Sequence, residues 1–111
     1  MNRTEKKYLY DISESIRIIF DDYLKGIDSF GQYEADLKTQ DAVERRLIMI
    51  IAEAVYKMRR KGVSLPSADQ IINRRNTMAH QYDEYNPNAI WDSIHRELPS
   101  LKAEADRLLK E

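Results

Sequence analysis

The chain has 111 residues, of which 42% are hydrophobic and 33% charged, and its formal net charge is −1. This length leaves room for one hydrophobic core, and this proportion of hydrophobic to charged residues is typical of a soluble globular domain rather than a disordered one. The near-zero charge argues against a protein that coats nucleic acid by bulk electrostatics. There is no cysteine, which excludes disulfides, zinc–thiolate sites and thiol nucleophiles. We expect a single domain over residues 1–111.

The chain carries no segment that predicts a membrane location. Met1–Lys7 lacks the apolar core of a signal peptide. The longest apolar run, Leu47–Ala52, is far shorter than the ~20 residues that cross a bilayer. We therefore expect a cytoplasmic protein that does not contact the membrane.

Hydrophobic spacing predicts a first helix from about Thr4 to Lys25, which Gly26 would end. A connector over residues 27–38 follows, with Phe30 and Tyr33 as anchors on the core. The apolar stripe of this helix contains Leu9, Ile12, Ile16, Ile19, Phe20 and Tyr23.

A second helix is predicted to begin near Thr39 or Asp41, both good N-cap types, and to end at Gly62. Ile48 and Met49 would widen its apolar stripe, which indicates a central helix buried on two sides. The stripe itself contains Val43, Leu47, Ile50, Ile51, Ala54, Val55 and Met58.

Ser67 and Gln70 form a capping-box pattern at the start of a third helix, which would run to about Tyr82 or Tyr85. Asn86-Pro87 predicts the start of a fourth. The fourth stripe contains Ile90, Trp91, Ile94, Leu98, Leu101, Ala105 and Leu108. Long amphipathic helices with short connections predict an all-α fold, an antiparallel four-helix bundle.

The third helix carries one residue that breaks its pattern. Its inward stripe would be Ile71, Arg75, Met78 and Tyr82, and an arginine there must snorkel, pair with a carboxylate, or face a cavity or a partner. Asn76 and His80 lie one turn apart on the flanking edge. One helix face therefore presents a cation, an amide, an imidazole and a phenol.

These groups suit cleavage of RNA without a metal ion. A guanidinium can hold two oxygens of a phosphodiester and stabilise the transition-state charge. An imidazole can move a proton near neutral pH, and RNA supplies its own nucleophile in the 2′-hydroxyl.

A purely structural interpretation competes with the catalytic one, and spacing alone favours it. Arg75 could pair with Glu53 of the second helix, His80 could be a hydrogen-bonding residue at a helix end, Tyr82 could be core, and Asn76 could be exposed. His95 has no companions of this kind, so we interpret it as structural.

The segment Arg75–Tyr82, R-N-T-M-A-H-Q-Y, resembles the Arg-x4-His-x-Tyr motif of the HepT-like toxins in the HEPN superfamily. Asn directly after Arg, and Tyr two residues past His, make the resemblance more specific than an Arg…His spacing. Other segments look family-like as well: Thr39–Val43, Ile51–Ala54, Ile90–Ile94 and Leu98–Leu101.

The resemblance implies a HEPN-type bundle that forms a homodimer and joins two motifs in one RNA-cleaving cleft. The chain would be a metal-independent endoribonuclease, without a cofactor, and the toxin of a type VII-like toxin–antitoxin pair. Arg75 would bind the scissile phosphate, His80 would be the acid/base, Asn76 would orient one of them, and Glu53 would support the site. Tyr82 would be adenylylated by a minimal nucleotidyltransferase antitoxin.

The chain departs from the family pattern on both sides of the motif. Arg74 replaces a more usual apolar residue and adds charge that would help RNA binding, whereas Asp83 and Glu84 would repel a phosphate by a modest amount.

The alternative is a non-catalytic subunit that binds a nucleotide or a substrate for a nucleotidyltransferase. Neither interpretation predicts DNA binding.

Overall fold

The computed structural model describes residues 1–80 and 86–111, and for Ala79 and His80 it describes the backbone alone. The residues it describes form helices and no strand, so the all-α prediction is confirmed. The α-helices are α1 (Arg3–Arg17), α2 (Phe30–Glu34), α3 (Leu37–Arg45), α4 (Ala52–Arg60), α5 (Ala68–His80) and α6 (Pro87–Leu109).

Two π-helical segments lengthen these helices into rods. The first, Ile18–Tyr23, continues α1, and the second, Arg46–Ile51, joins α3 to α4 without a break. The four predicted helices therefore correspond to α1 with its π segment, the α3–α4 rod, α5 and α6. The short helix α2 lies in the segment that we predicted to be a connector.

The core lies where the predicted apolar stripes meet. α1 packs against α6 and the α3–α4 rod, α5 packs against α4, and α2 packs against α6. Both predicted anchors of the connector contact this core, Tyr33 fully buried and Phe30 partly buried. The largest fully buried side chains are Tyr33, Leu9, Ile12, Ile16, Ile19, Leu47, Ile51, Met58, Ile71, Ile94, Leu98 and Leu101.

Most predicted helix ends are confirmed, and one start is wrong. Gly26 and Gly62 end their helices with φ of 81° and 85°, which glycine adopts without strain. Asn86 caps α6 by accepting a hydrogen bond from Asn88 N. The second rod begins after Asp36, not at Thr39 or Asp41, because Asp36 Oδ1 accepts from Thr39 N at 3.0 Å and Oδ2 from Thr39 Oγ1 at 2.8 Å.

Two further expectations are corrected. Ser67 directly precedes α5, but its φ of 60° is left-handed, not the extended conformation of a capping residue. Met49 is 62% exposed, so it does not widen the buried stripe. A step of two residues turns a side chain to nearly the opposite face of a helix, so Met49 faces away from the side on which Leu47 is buried.

A polar contact fixes α1 against α6. Ser13 Oγ donates to Asp106 Oδ1 at 2.5 Å, and Lys102 Nζ donates to Asp106 Oδ2 at 2.7 Å. These two hydrogen bonds hold the pKa of the Asp106 carboxyl below its ordinary value. Among the residues described, no helix is both long and apolar enough to cross a membrane.

Candidate active site on helix α5

Helix α5 lies on α4 with its apolar side inward, as its stripe predicted. Ile71 and Ile72 are buried, and Met78 packs against the core from a partly buried position. Arg75 occupies the same side, and its side chain is 23% exposed. The guanidinium therefore lies at the border between the α4–α5 contact and solvent.

Three groups surround the Arg75 guanidinium. Its Nη1 donates to Glu53 Oε2 at 2.6 Å, and its Nη2 donates to Asn76 Oδ1 at 3.3 Å. Its Cζ lies 4.9 Å from the centroid of the Tyr56 ring, a cation–π distance. Glu53 and Tyr56 are one turn apart on α4, so this helix orients the arginine from two directions.

The Arg75–Glu53 ion pair is open to solvent, because the Glu53 side chain is 42% exposed. Exposed ion pairs contribute only about 0–1 kcal/mol to stability. The pairing foreseen in the structural interpretation is thus present, but its solvation means that the fold does not depend on it. A phosphate oxygen could replace the carboxylate without leaving a buried charge unpaired.

Arg74 points to a different partner and a different environment. Its Nη1 donates to Glu97 Oε1 on α6 at 2.8 Å, and the Ser93 hydroxyl donates to the same oxygen at 2.5 Å. The Glu97 side chain is only 9% exposed. Arg74 therefore neutralises a buried carboxylate and ties α5 to α6, which is a structural task. The contribution to RNA binding that we expected of its charge stays a prediction.

The remaining motif residues follow along α5. Asn76 is exposed beside Arg75. The backbone of His80 is helical, which places its Cα one turn beyond Asn76 and about 7.5 Å along the axis from Arg75. The His80 side chain, Tyr82, Asp83 and Glu84 lie outside what the structure describes, so their proposed roles stay predictions.

His95 lies on α6 with a local hydrogen bond, as its structural interpretation predicted. Its Nδ1 is 2.8 Å from the Trp91 carbonyl oxygen, and its ring contacts those of Trp91 and Phe20. Within the described ranges, no cluster of three His, Asp or Glu side chains could hold a metal ion.

Sequence reasoning missed Tyr56 and its basic neighbours. Lys57 Nζ lies 5.4 Å from the Tyr8 ring centroid, and Arg60 Cζ lies 5.9 Å from that of Tyr56. The signal was the repeat of aromatic and basic residues at three- and four-residue steps after Glu53. That repeat is visible only once Glu53 is known to be the partner of Arg75.

The family model described as "Ribonuclease HepT-like" matches residues 12–108, a range that contains Glu53 and the whole of the Arg75–Tyr82 motif. The chain belongs to the HepT-like ribonuclease family. The fold agrees, since an all-α bundle of this kind is the HEPN type.

Two relatives of this HepT-like chain cover nearly its whole length. A protein named "Probable ribonuclease HepT" from Thermococcus cleftensis is 32% identical over 114 residues, which span 99% of this chain and 100% of that protein. "Putative RNase MJ0127" from Methanocaldococcus jannaschii is 28% identical over 109 residues, 96% of this chain and 88% of that protein. No solved structure is significantly similar to the chain.

Proposed function

We propose that this HepT-like protein is a metal-independent endoribonuclease that acts in the cytoplasm through Arg75, Asn76 and His80. The observation that carries the proposal is the state of Arg75: its guanidinium is held in place, yet its only carboxylate partner among the described residues, Glu53, is solvated and replaceable. The family match, which includes the motif, and the ribonuclease names of both relatives support it.

The reaction needs a bound phosphate and two proton transfers. Arg75 binds two oxygens of the scissile phosphate and stabilises the negative charge that develops on them. The RNA 2′-oxygen attacks phosphorus as a base removes its proton, and the bond from phosphorus to the 5′-oxygen breaks as an acid protonates that oxygen. His80 suits either proton transfer, and the products are a 2′,3′-cyclic phosphate and a 5′-hydroxyl.

A homodimer would bring a second His80 to the same cleft, so that one imidazole is the base and the other the acid. An exposed apolar residue supports such a contact: Met49 is 62% exposed and lies one turn before Glu53 on the same rod. Arg75 would then lie at a border between two chains, which fits its partial exposure.

The direct test is incubation of the purified protein with total RNA in an excess of chelator. We expect cleavage by the wild type and a loss of about 10²–10⁴-fold in His80→Ala, the usual contribution of a general acid/base. Equal cleavage by both proteins, or none by either, would contradict the proposal. Absence of cleavage together with a stable complex with a nucleotidyltransferase would favour the non-catalytic alternative.

We further propose that the protein is the toxin of a type VII-like pair whose antitoxin, a minimal nucleotidyltransferase, adenylylates Tyr82. The support is the motif itself, in which Tyr82 follows His80 by two residues. After co-expression with the nucleotidyltransferase gene, we expect an intact mass that is higher by a whole number of AMP units. Tyr82→Phe should abolish the gain. An unchanged wild-type mass would reject this regulation and leave the ribonuclease proposal untouched.

A further inference from the structure

A cavity of about 460 Å³ opens next to the Arg75 site, on the side where α4 meets α1. This volume is within the roughly 300–1,000 Å³ of ordinary ligand sites. Its lining consists of aromatic rings and cations only: Tyr8, Tyr56, Lys57, Arg60 and Lys61.

The cavity and the Arg75 site share one side chain. The Tyr56 ring lines the cavity and is also the ring over which Arg75 lies at 4.9 Å. Arg60 Nη1 donates to the Tyr56 hydroxyl at 3.2 Å. A chain of nucleotides whose phosphate is bound at Arg75 would therefore reach this cavity directly.

The cations of the cavity are available to a ligand. Arg60 and Lys61 are exposed, and neither forms an ion pair with any carboxylate in the described part of the chain. Lys57 is only loosely paired, with Nζ 3.8 Å from Glu53 Oε1. In a protein of net charge −1, this is a local concentration of positive charge rather than a general property of the surface.

Aromatic rings next to unpaired cations are the combination that binds single-stranded nucleic acid. Bases stack on the rings and the cations contact the phosphates, whereas a double helix offers no free base faces. We infer that this cavity, which we call the Tyr56 subsite, binds a nucleotide of single-stranded RNA next to the scissile phosphate. The inference rests on the proposed ribonuclease function for its substrate, but not on cleavage itself.

The test measures binding and not turnover. A fluorescein-labelled, short single-stranded oligoribonucleotide of mixed sequence is titrated with protein by anisotropy, in a His80→Ala background to prevent cleavage. We expect Tyr56→Leu to weaken binding by about 5- to 150-fold, the range for one lost base–aromatic stack. Tyr56→Phe keeps the ring and should bind within about twofold of the parent.

Arg60→Gln with Lys61→Gln tests the cations independently of the ring. This pair should reduce the slope of log affinity against log salt by about 0.7 for each cation removed. The matched control is Lys25→Gln with Lys38→Gln, an equal change of charge. Lys25 follows the end of the α1 rod and Lys38 lies at the start of the α3–α4 rod, so both are far from the cavity along these rods. The control should leave both affinity and slope near those of the parent. Thermal unfolding of every variant confirms that it is folded.

Unchanged RNA binding in Tyr56→Leu and in the Arg60/Lys61 variant would overturn the inference, even if the wild type cleaves RNA. Weakened binding in both, in a protein that never cleaves RNA, would support the subsite and reject the nuclease. A polyglutamate peptide that bound as tightly as RNA, with the same sensitivity to Tyr56→Leu, would indicate an acidic protein ligand and also overturn it.

Discussion

We expect Arg75→Ala to lower the rate of RNA cleavage by about 10²–10³-fold, the usual loss when one transition-state charge stabiliser is removed. The free energy of unfolding should fall by only about 0.5–2 kcal/mol, for two reasons. The ion pair that is lost joins Arg75 to a Glu53 side chain that is 42% exposed, and such a pair contributes about 0–1 kcal/mol. The lost contact with the Tyr56 ring adds about 0.5–1 kcal/mol.

Cleavage rates and urea unfolding of the same preparations check this prediction. Arg75→Lys is the informative companion, because it keeps the charge but cannot hold two phosphate oxygens in a fork. We expect Arg75→Lys to recover the stability that Arg75→Ala loses, but only part of the rate of RNA cleavage. A variant that lost several kcal/mol of stability while retaining its rate would instead establish Arg75 as a structural residue.

The neighbouring substitution, Arg74→Ala, should have the opposite effects, a large loss of stability and little change in the rate of RNA cleavage. It leaves the Glu97 carboxylate, whose side chain is 9% exposed, without its cation. Removing one partner of a buried ion pair costs about 3–5 kcal/mol. The hydrogen bond from Ser93 remains, so we expect the lower end of that range, about 3 kcal/mol in the free energy of unfolding.

Urea unfolding of two variants, Arg74→Ala and the double variant Arg74→Met/Glu97→Gln, checks this prediction. The comparison separates the cost of an unpaired buried charge from the cost of lost packing. The double variant removes both charges, while the glutamine oxygen can still accept from Ser93, so its stability should return to within about 1 kcal/mol of the wild type. The prediction fails if Arg74→Ala is as stable as the wild type, or if the double variant is no better than the single one.

The long helices could be predicted from the sequence because their stripes are regular and glycines end two of them. α2 was missed because five residues are too few to show a helical period. Its capping box was visible, since Ser29 and Gln32 have the required spacing and the structure contains both hydrogen bonds. The start of α3 was misplaced because several residues of good capping type follow one another and only the backbone decides between them.

The site could be predicted only in part, for a similar reason. The position of Arg75 on the inward side of α5 followed from helical spacing. The pairing of Arg75 with Glu53 was also foreseen as one alternative. The partner of Arg74 was not, because Arg74 and Arg75 are about 100° apart on the helix and face different neighbours. In the sequence, nothing distinguishes Glu97 from the other polar residues of α6. Its burial depends on how α5 and α6 approach each other.

The second π segment, Arg46–Ile51, determines which way the active-site side of α4 faces. A π turn holds one residue more than an α turn, so the segment amounts to an insertion absorbed inside a continuous helix. If the same residues wound as an ordinary α-helix instead, everything after them would rotate by about 100° about the axis. Glu53 and Tyr56 would then turn away from Arg75, although no residue of the site had been changed. The π turn in this rod is therefore as much a part of the site as the motif on α5.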